Sequence, residues 1–153
     1  MIIIRRIVTH VTQRSMKNFT SKSQKIGELG EDIACKFLMK HGFSILERNY
    51  TKKWGEIDVI AEKNSKMYFI EVKSTSVSSL DFVTENNIKD GVSLKRPEEN
   101  MHPWKTKRLR RVVETYLIYK RLGSVNWQFD LLVVYMDIEK RQARVKIVEN
   151  IIL

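Results

Sequence analysis

Hydrophobic positions recur with two distinct periods along this chain. Between Ile26 and Gly42, apolar residues fall at Ile26, Leu29, Ile33 and Phe37, His41 continues the series, and Gly42 stops it. Steps of three and four put these side chains on one face of a helix. Gly27, Gly30 and Ala34 run beside that face, and such a stripe of small residues predicts the close approach of another backbone. Glu31 borders the stripe, whereas Glu28 and Asp32 project further towards solvent. Residues 104–122 carry a second helical pattern, with Leu109, Val112, Val113, Tyr116 and Leu117 on one face and Gly123 ending it.

The other period is two. Residues 45–50, 56–62 and 67–73 read as three strands. A mostly apolar run at 127–136 reads as a buried fourth, and 143–149 alternates as a fifth. The order is α-β-β-β-α-β-β. The first three strands predict an antiparallel meander. The third strand, second helix and fourth strand form a β-α-β unit, whose strands should be parallel with a right-handed crossover. The expected class is α/β with a mixed β-sheet flanked by helices.

With 153 residues the default is a single domain. We place it at 26–153, with a long polar loop or insertion at about 74–103, punctuated by Gly91, Pro97 and Pro103. Residues 1–25 form a basic N-terminal extension with six Lys or Arg and no acid. Its composition loosely resembles a transit peptide, but the simpler reading is a frayed extension, or a start at Met16. A single cysteine, Cys35, excludes an internal disulfide framework and fits a reducing, cytoplasmic location. No apolar run reaches the roughly 18 residues of a membrane span, so no stable membrane insertion is expected.

Chemistry concentrates in the hairpin of the second and third strands. A four-residue turn from Lys63 to Lys66 would pair Glu62 with Met67, Asp58 with Glu71, and Glu56 with Lys73. Facing residues lie on one side of a sheet, with Cβ atoms roughly 4.5–5.5 Å apart. Two facing carboxylates repel unless neutralised, and a divalent cation neutralises them. Magnesium takes one or two carboxylates and completes its shell with water and substrate phosphate. Lys73, on the same side as Glu71, could orient water or balance charge on phosphorus. The competing reading is a solvated alternating face whose acids pair with lysines. Tyr68, Ile70 and Val72 cover one side of the third strand, so Glu71 shares the other with Met67 and Phe69. An acid in that company is not freely solvated.

Asp58, twelve intervening residues and then Glu71-Val72-Lys73 resembles the PD-(D/E)xK signature of the restriction-endonuclease-like fold. The ordered blocks GELGEDIACKFL, ILERNY, GEIDVIAE, MYFIEVK, PEENMHPWKTKRL and FDLLVV resemble the UPF0102 (YraN-like) family across about 27–150. That family is regarded as predicted endonucleases distantly related to archaeal Holliday junction resolvases. The resemblance implies a restriction-endonuclease-like sheet and metal-dependent hydrolysis of DNA, on structured or branched DNA among other forms. It also implies Mg2+ as cofactor, with Mn2+ able to substitute. Carried onto this sequence, the metal carboxylates fall on Asp58 and Glu71, the lysine on Lys73 and the helical acid on Glu31, which would join the metal set. A basic position opening the second helix falls on Lys105. Thr75 stands where the family usually has an arginine, and the segment from Lys73 to Pro97 is longer than usual, so phosphate contacts should differ here.

Charge is large and clustered. The net charge of +10 points to a polyanionic partner. Residues 104–122 hold seven Lys or Arg against Glu114 alone, and a face carrying one sign favours phosphate contact over simple solvation. Lys105, Lys107, Arg108 and Arg111 are the candidate nucleic-acid contacts. Trp104 and Tyr50 could stack on bases or merely line the core. His41 reads as structural. His10 and His102 are scattered, Cys35 has no nucleophile motif, and Asp130 stands unexplained in an apolar strand. The rival function is a non-catalytic nucleic-acid-binding protein on a nuclease fold. Dimerisation is left open, although two-fold pairing would suit a cutter of branched DNA.

Overall fold

The structure, a computed structural model, describes residues 2–7, 21–83 and 102–153. Strands β1 (Ile2–Ile7), β2 (Ser44–Lys52), β3 (Gly55–Lys63), β4 (Lys66–Ser76), β5 (Asn126–Asp137) and β6 (Gln142–Val148) form one sheet in the order β1-β6-β5-β4-β3-β2. Among the described strands only β4 and β5 run parallel. Helix α1 (Lys22–Lys40) lies between β1 and β2, and α2 (Pro103–Tyr119) between β4 and β5. From Lys22 onward the order is the expected α-β-β-β-α-β-β, in an α/β fold with a mixed sheet. Strand β1 precedes it, pairing antiparallel with β6 from within the N-terminal segment. The expected loop begins later than anticipated, because β4 continues to Ser76 and a short 3-10 turn follows at Leu80–Phe82. Most of the remaining expected insertion, 84–101, lies outside the described residues, as do 8–20 with His10 and Met16.

Two apolar layers sandwich the sheet. Ile33, Ala34, Phe37 and Leu38 of α1 pack on Val59, Ala61, Ile70, Val72, Leu132 and Val134. On the other face Leu109, Val112, Val113 and Tyr116 of α2 pack on Ile57, Ile60, Phe69 and Phe129. The split follows from alternation along β3 and β4, and the apolar run of β5 is buried on both faces. Each large apolar side chain fully removed from water contributes about 1.5–3 kcal/mol.

The small-residue stripe of α1 is used at one point above all. A Cβ on Gly30 would stand 1.7 Å from Ser74 Oγ and 2.6 Å from Ser74 Cβ. The helix therefore crosses β4 as closely as a glycine allows. Gly27 faces open space instead, so it plays no part in this approach.

The β3–β4 hairpin has the expected register with a tighter turn. Its ladder runs from Val59–Ile70 to Lys63–Lys66, leaving Asn64 and Ser65 as a two-residue turn. Their φ angles of 52° and 61° suit the type I′ geometry that matches strand twist.

Candidate active site

Pairing in the hairpin stops one step before the expected carboxylate pair. Val59 belongs to the α1 layer, yet Ile57, two residues away, belongs to the α2 layer. A regular strand would put both on one face, so the alternation breaks at Asp58. Strand β2 breaks opposite it. Arg48 reaches acids of α1, Tyr50 packs in the α2 layer, and Asn49 between them has φ 53°. Asp58 is thereby not a ladder partner of Glu71. Its Oδ2 accepts the Val72 backbone N–H at 2.7 Å, taking the place of a strand carbonyl. The expected Glu56–Lys73 pair is absent for the same reason: Glu56 pairs with Thr51 of β2, whose hydroxyl donates to it at 2.7 Å.

The two acids nevertheless share one electrostatic environment. Burial first, and then the negative charge of Glu71, push the Asp58 carboxyl up to about 7. Glu71 is only 8% exposed. Its Oε1 accepts from Lys73 Nζ at 3.1 Å and from Lys105 Nζ at 2.9 Å. Burial alone would lower the Lys73 pKa, but Glu71 beside it turns the net shift upward, so Lys73 stays an ammonium at neutral pH. Lys105 was expected on phosphate; here it is the second counter-ion of Glu71.

Glu31 lies at the margin of this group. Burial raises its pKa, and its charge is felt at Asp58. It is drawn towards Arg48, which stands 3.6 Å from Glu31 and 2.8 Å from Asp32. Among the described residues no three His, Cys, Asp or Glu side chains gather closely enough to hold an ion. Asp58, Glu71 and Glu31 do not form such a group among the described residues, and Glu31 lies beside Arg48 instead. What remains fits magnesium better than a metal needing an all-protein cage. Asp58 Oδ1 and Glu71 Oε2 make no hydrogen bond among the described residues. Two carboxylate oxygens, with water and phosphate completing the shell, is the donor set that ion accepts.

The other candidates separate clearly. Arg108 donates its Nε to the Trp54 carbonyl oxygen at 2.7 Å, and Arg111 lies over the Trp54 ring at 4.2 Å. Lys107 is exposed on the same helix. Tyr50 is buried edge-on against Tyr116, so it is a core residue and not a base-stacking one. His41 Nδ1 lies 2.7 Å from the Phe37 carbonyl oxygen and Cys35 is buried, both in structural positions. Asp130 accepts from Gln128 and from the Asn150 backbone N–H, and so fastens the chain after β6 to the start of β5. Arg48, Asn49 and Trp54 escaped the sequence reading. Their positions in the ILERNY block and the β2–β3 turn give no sign of partners 16 to 57 residues away.

Fold and site together define an α/β protein whose mixed sheet carries a half-buried Asp58 and a buried Glu71, the latter flanked by lysines, where two strands part. The chain belongs to the family described as Uncharacterised protein family UPF0102, which matches residues 30–134. It is 38% identical over 125 residues to a UPF0102 protein of Campylobacter lari, covering 82% of this chain and 91% of that one. It is 31% identical over 128 residues to one of Clostridium beijerinckii, covering 84% and 93% respectively. No helix among the described residues is long and apolar enough to cross a membrane.

Proposed function

We propose that the protein is a magnesium-dependent endonuclease that hydrolyses DNA phosphodiester bonds, acting in the cytoplasm. The observation that supports this reading is the half-buried Asp58 with the buried Glu71, each keeping one carboxylate oxygen without a hydrogen bond among the described residues, beside the ammonium of Lys73. These two acids would hold Mg2+, or Mn2+ in its place. Such an ion supplies Lewis-acid polarisation of the phosphate and a lowered pKa for bound water. Lys73 keeps its proton, so it acts as a donor to the attacked phosphate or to the incoming water, not as a general base. The Val72 N–H fixes one oxygen of Asp58 and so aims the other. Glu31 would support from α1 as an acceptor for water. Lys105 is positioned to exchange Glu71 for a phosphate, because one cation fewer is needed there once the pair is neutralised. Lys107, Arg108 and Arg111 extend the cationic surface along α2.

One observation favours the rival reading of a non-catalytic nucleic-acid-binding protein. Lys73 and Lys105 together already balance Glu71. Incubating duplex, single-stranded and branched DNA with Mg2+ or Mn2+ distinguishes the two. The nuclease reading predicts cleavage by the wild type, and lost cleavage with retained DNA binding in Asp58→Asn. Binding without cleavage of any of these DNAs supports the rival.

A further inference from the structure

Indoles and guanidiniums alternate along one side of α2 and the turn between β2 and β3. Arg111 lies over Trp54, and Arg108 is tied to the Trp54 carbonyl oxygen while its guanidinium stands 5.7 Å from the Trp104 ring centroid. The two indoles differ sharply. Trp54 packs against the α2 core cluster and its indole N–H is enclosed without a hydrogen-bond partner among the described residues. Trp104 is 59% exposed and belongs to none of the three apolar clusters. The buried face of α2 is built from Leu109, Val112, Val113, Tyr116 and Leu117, so packing among the described residues does not account for an indole at position 104. Lys105, the next residue, touches Glu71 at 2.9 Å.

We infer that Trp104 is a stacking platform for an unpaired nucleobase beside the bond to be cut. The substrate class is then DNA with an unpaired nucleotide next to duplex, as at a bulge, a flap or a branch. This deepens the nuclease reading above and rests on it for the word substrate. A base inside a duplex has neighbours on both faces and offers none to an indole. An unpaired base offers its whole π-face, and stacking on an aromatic side chain is tolerant of sequence. Arg108 is already ordered by the Trp54 carbonyl, so its contact with the flanking phosphate costs little further side-chain entropy. Exposed Lys107 adds charge along the same path.

The test is binding in EDTA, where cleavage cannot occur, read by fluorescence anisotropy. Three labelled oligonucleotides are compared: a full duplex, the duplex with one bulged nucleotide, and the same bulge made abasic. The wild type should prefer the bulged base over both others by about 5- to 150-fold, the range for one stacked base. Trp104→Ala should lose that preference, with a smaller change in its affinity for full duplex, and Trp104→Phe should keep most of it. No preference in the wild type, or an equal preference in Trp104→Ala, overturns the inference. Failure of the nuclease reading is read separately, as absence of Mg2+-dependent cleavage of the same oligonucleotides.

Discussion

Replacing Asp58 by Asn should make the protein more stable at pH 8 while disabling the proposed metal site. The unfolded carboxyl titrates near its ordinary 3.8, and the folded one is pushed up to about 7 by burial and by Glu71. The folded state therefore holds its proton more tightly than the unfolded state. Stability from this group is fully present below about pH 4 and is lost as pH rises through about 7; above that the ionised acid is a constant burden. The rise from 3.8 to about 7 corresponds to a ceiling of about 4 kcal/mol. Solvent reaching the half-buried carboxyl lowers this to about 1–3 kcal/mol. Asparagine has nearly the same shape, and its Oδ1 can still accept the Val72 N–H, so the substitution removes the charge and little else. For a chain of this size the gain corresponds to about 2–4 °C in Tm per kcal/mol. Thermal melts in EDTA from pH 5 to pH 9 read it directly. The advantage of Asp58→Asn should be about a third of its full size at pH 5, grow towards pH 7 and level off above. A variant less stable than wild type at pH 8, or a gain independent of pH, would refute the reasoning.

Three further outcomes follow from the same geometry. With Mg2+ at about ten times its dissociation constant, wild type should gain about 1.4 kcal/mol in a thermal-shift titration and Asp58→Asn none. Gly30→Ala should lower stability by about 1–2 kcal/mol, because overpacking against Ser74 outweighs the helix-propensity gain; adding Ser74→Gly should restore most of the Tm. If six or more phosphates are engaged, DNA affinity in EDTA should fall about 10³-fold or more between 50 and 200 mM salt, whereas a flat response would remove the cationic surface of α2 from the account.

Alternation along Met67–Lys73 made the faces of β4 legible, and with them the burial of Glu71 among Met67 and Phe69. The turn from Lys63 to Lys66 made the hairpin register legible, and a one-residue slip would turn Ile70 and Val72 out of the α1 layer. The break at Asp58 was not legible. A local twist of a strand leaves the apolar pattern unchanged, and Ile57 and Val59 read as one face until the clusters separate them. Contacts between distant segments were hidden for a different reason. That Arg48 takes the acids of α1, and that Lys105 spends its charge on Glu71, depends on how α1 and α2 dock, which no local pattern encodes. Strand β1 was obscured by the basic, polar stretch that follows it. Its six residues IIIRRI do not alternate regularly, and their pairing is supplied by the free edge of β6.

The central claim is that Asp58 and Glu71 jointly hold a divalent ion. Anomalous diffraction from crystals soaked in Mn2+ measures this most directly. The account predicts a single strong peak between the two carboxylates, with Lys105 Nζ withdrawn from Glu71. No peak at that position, with Glu71 still bound by both lysines at millimolar Mn2+, would contradict it.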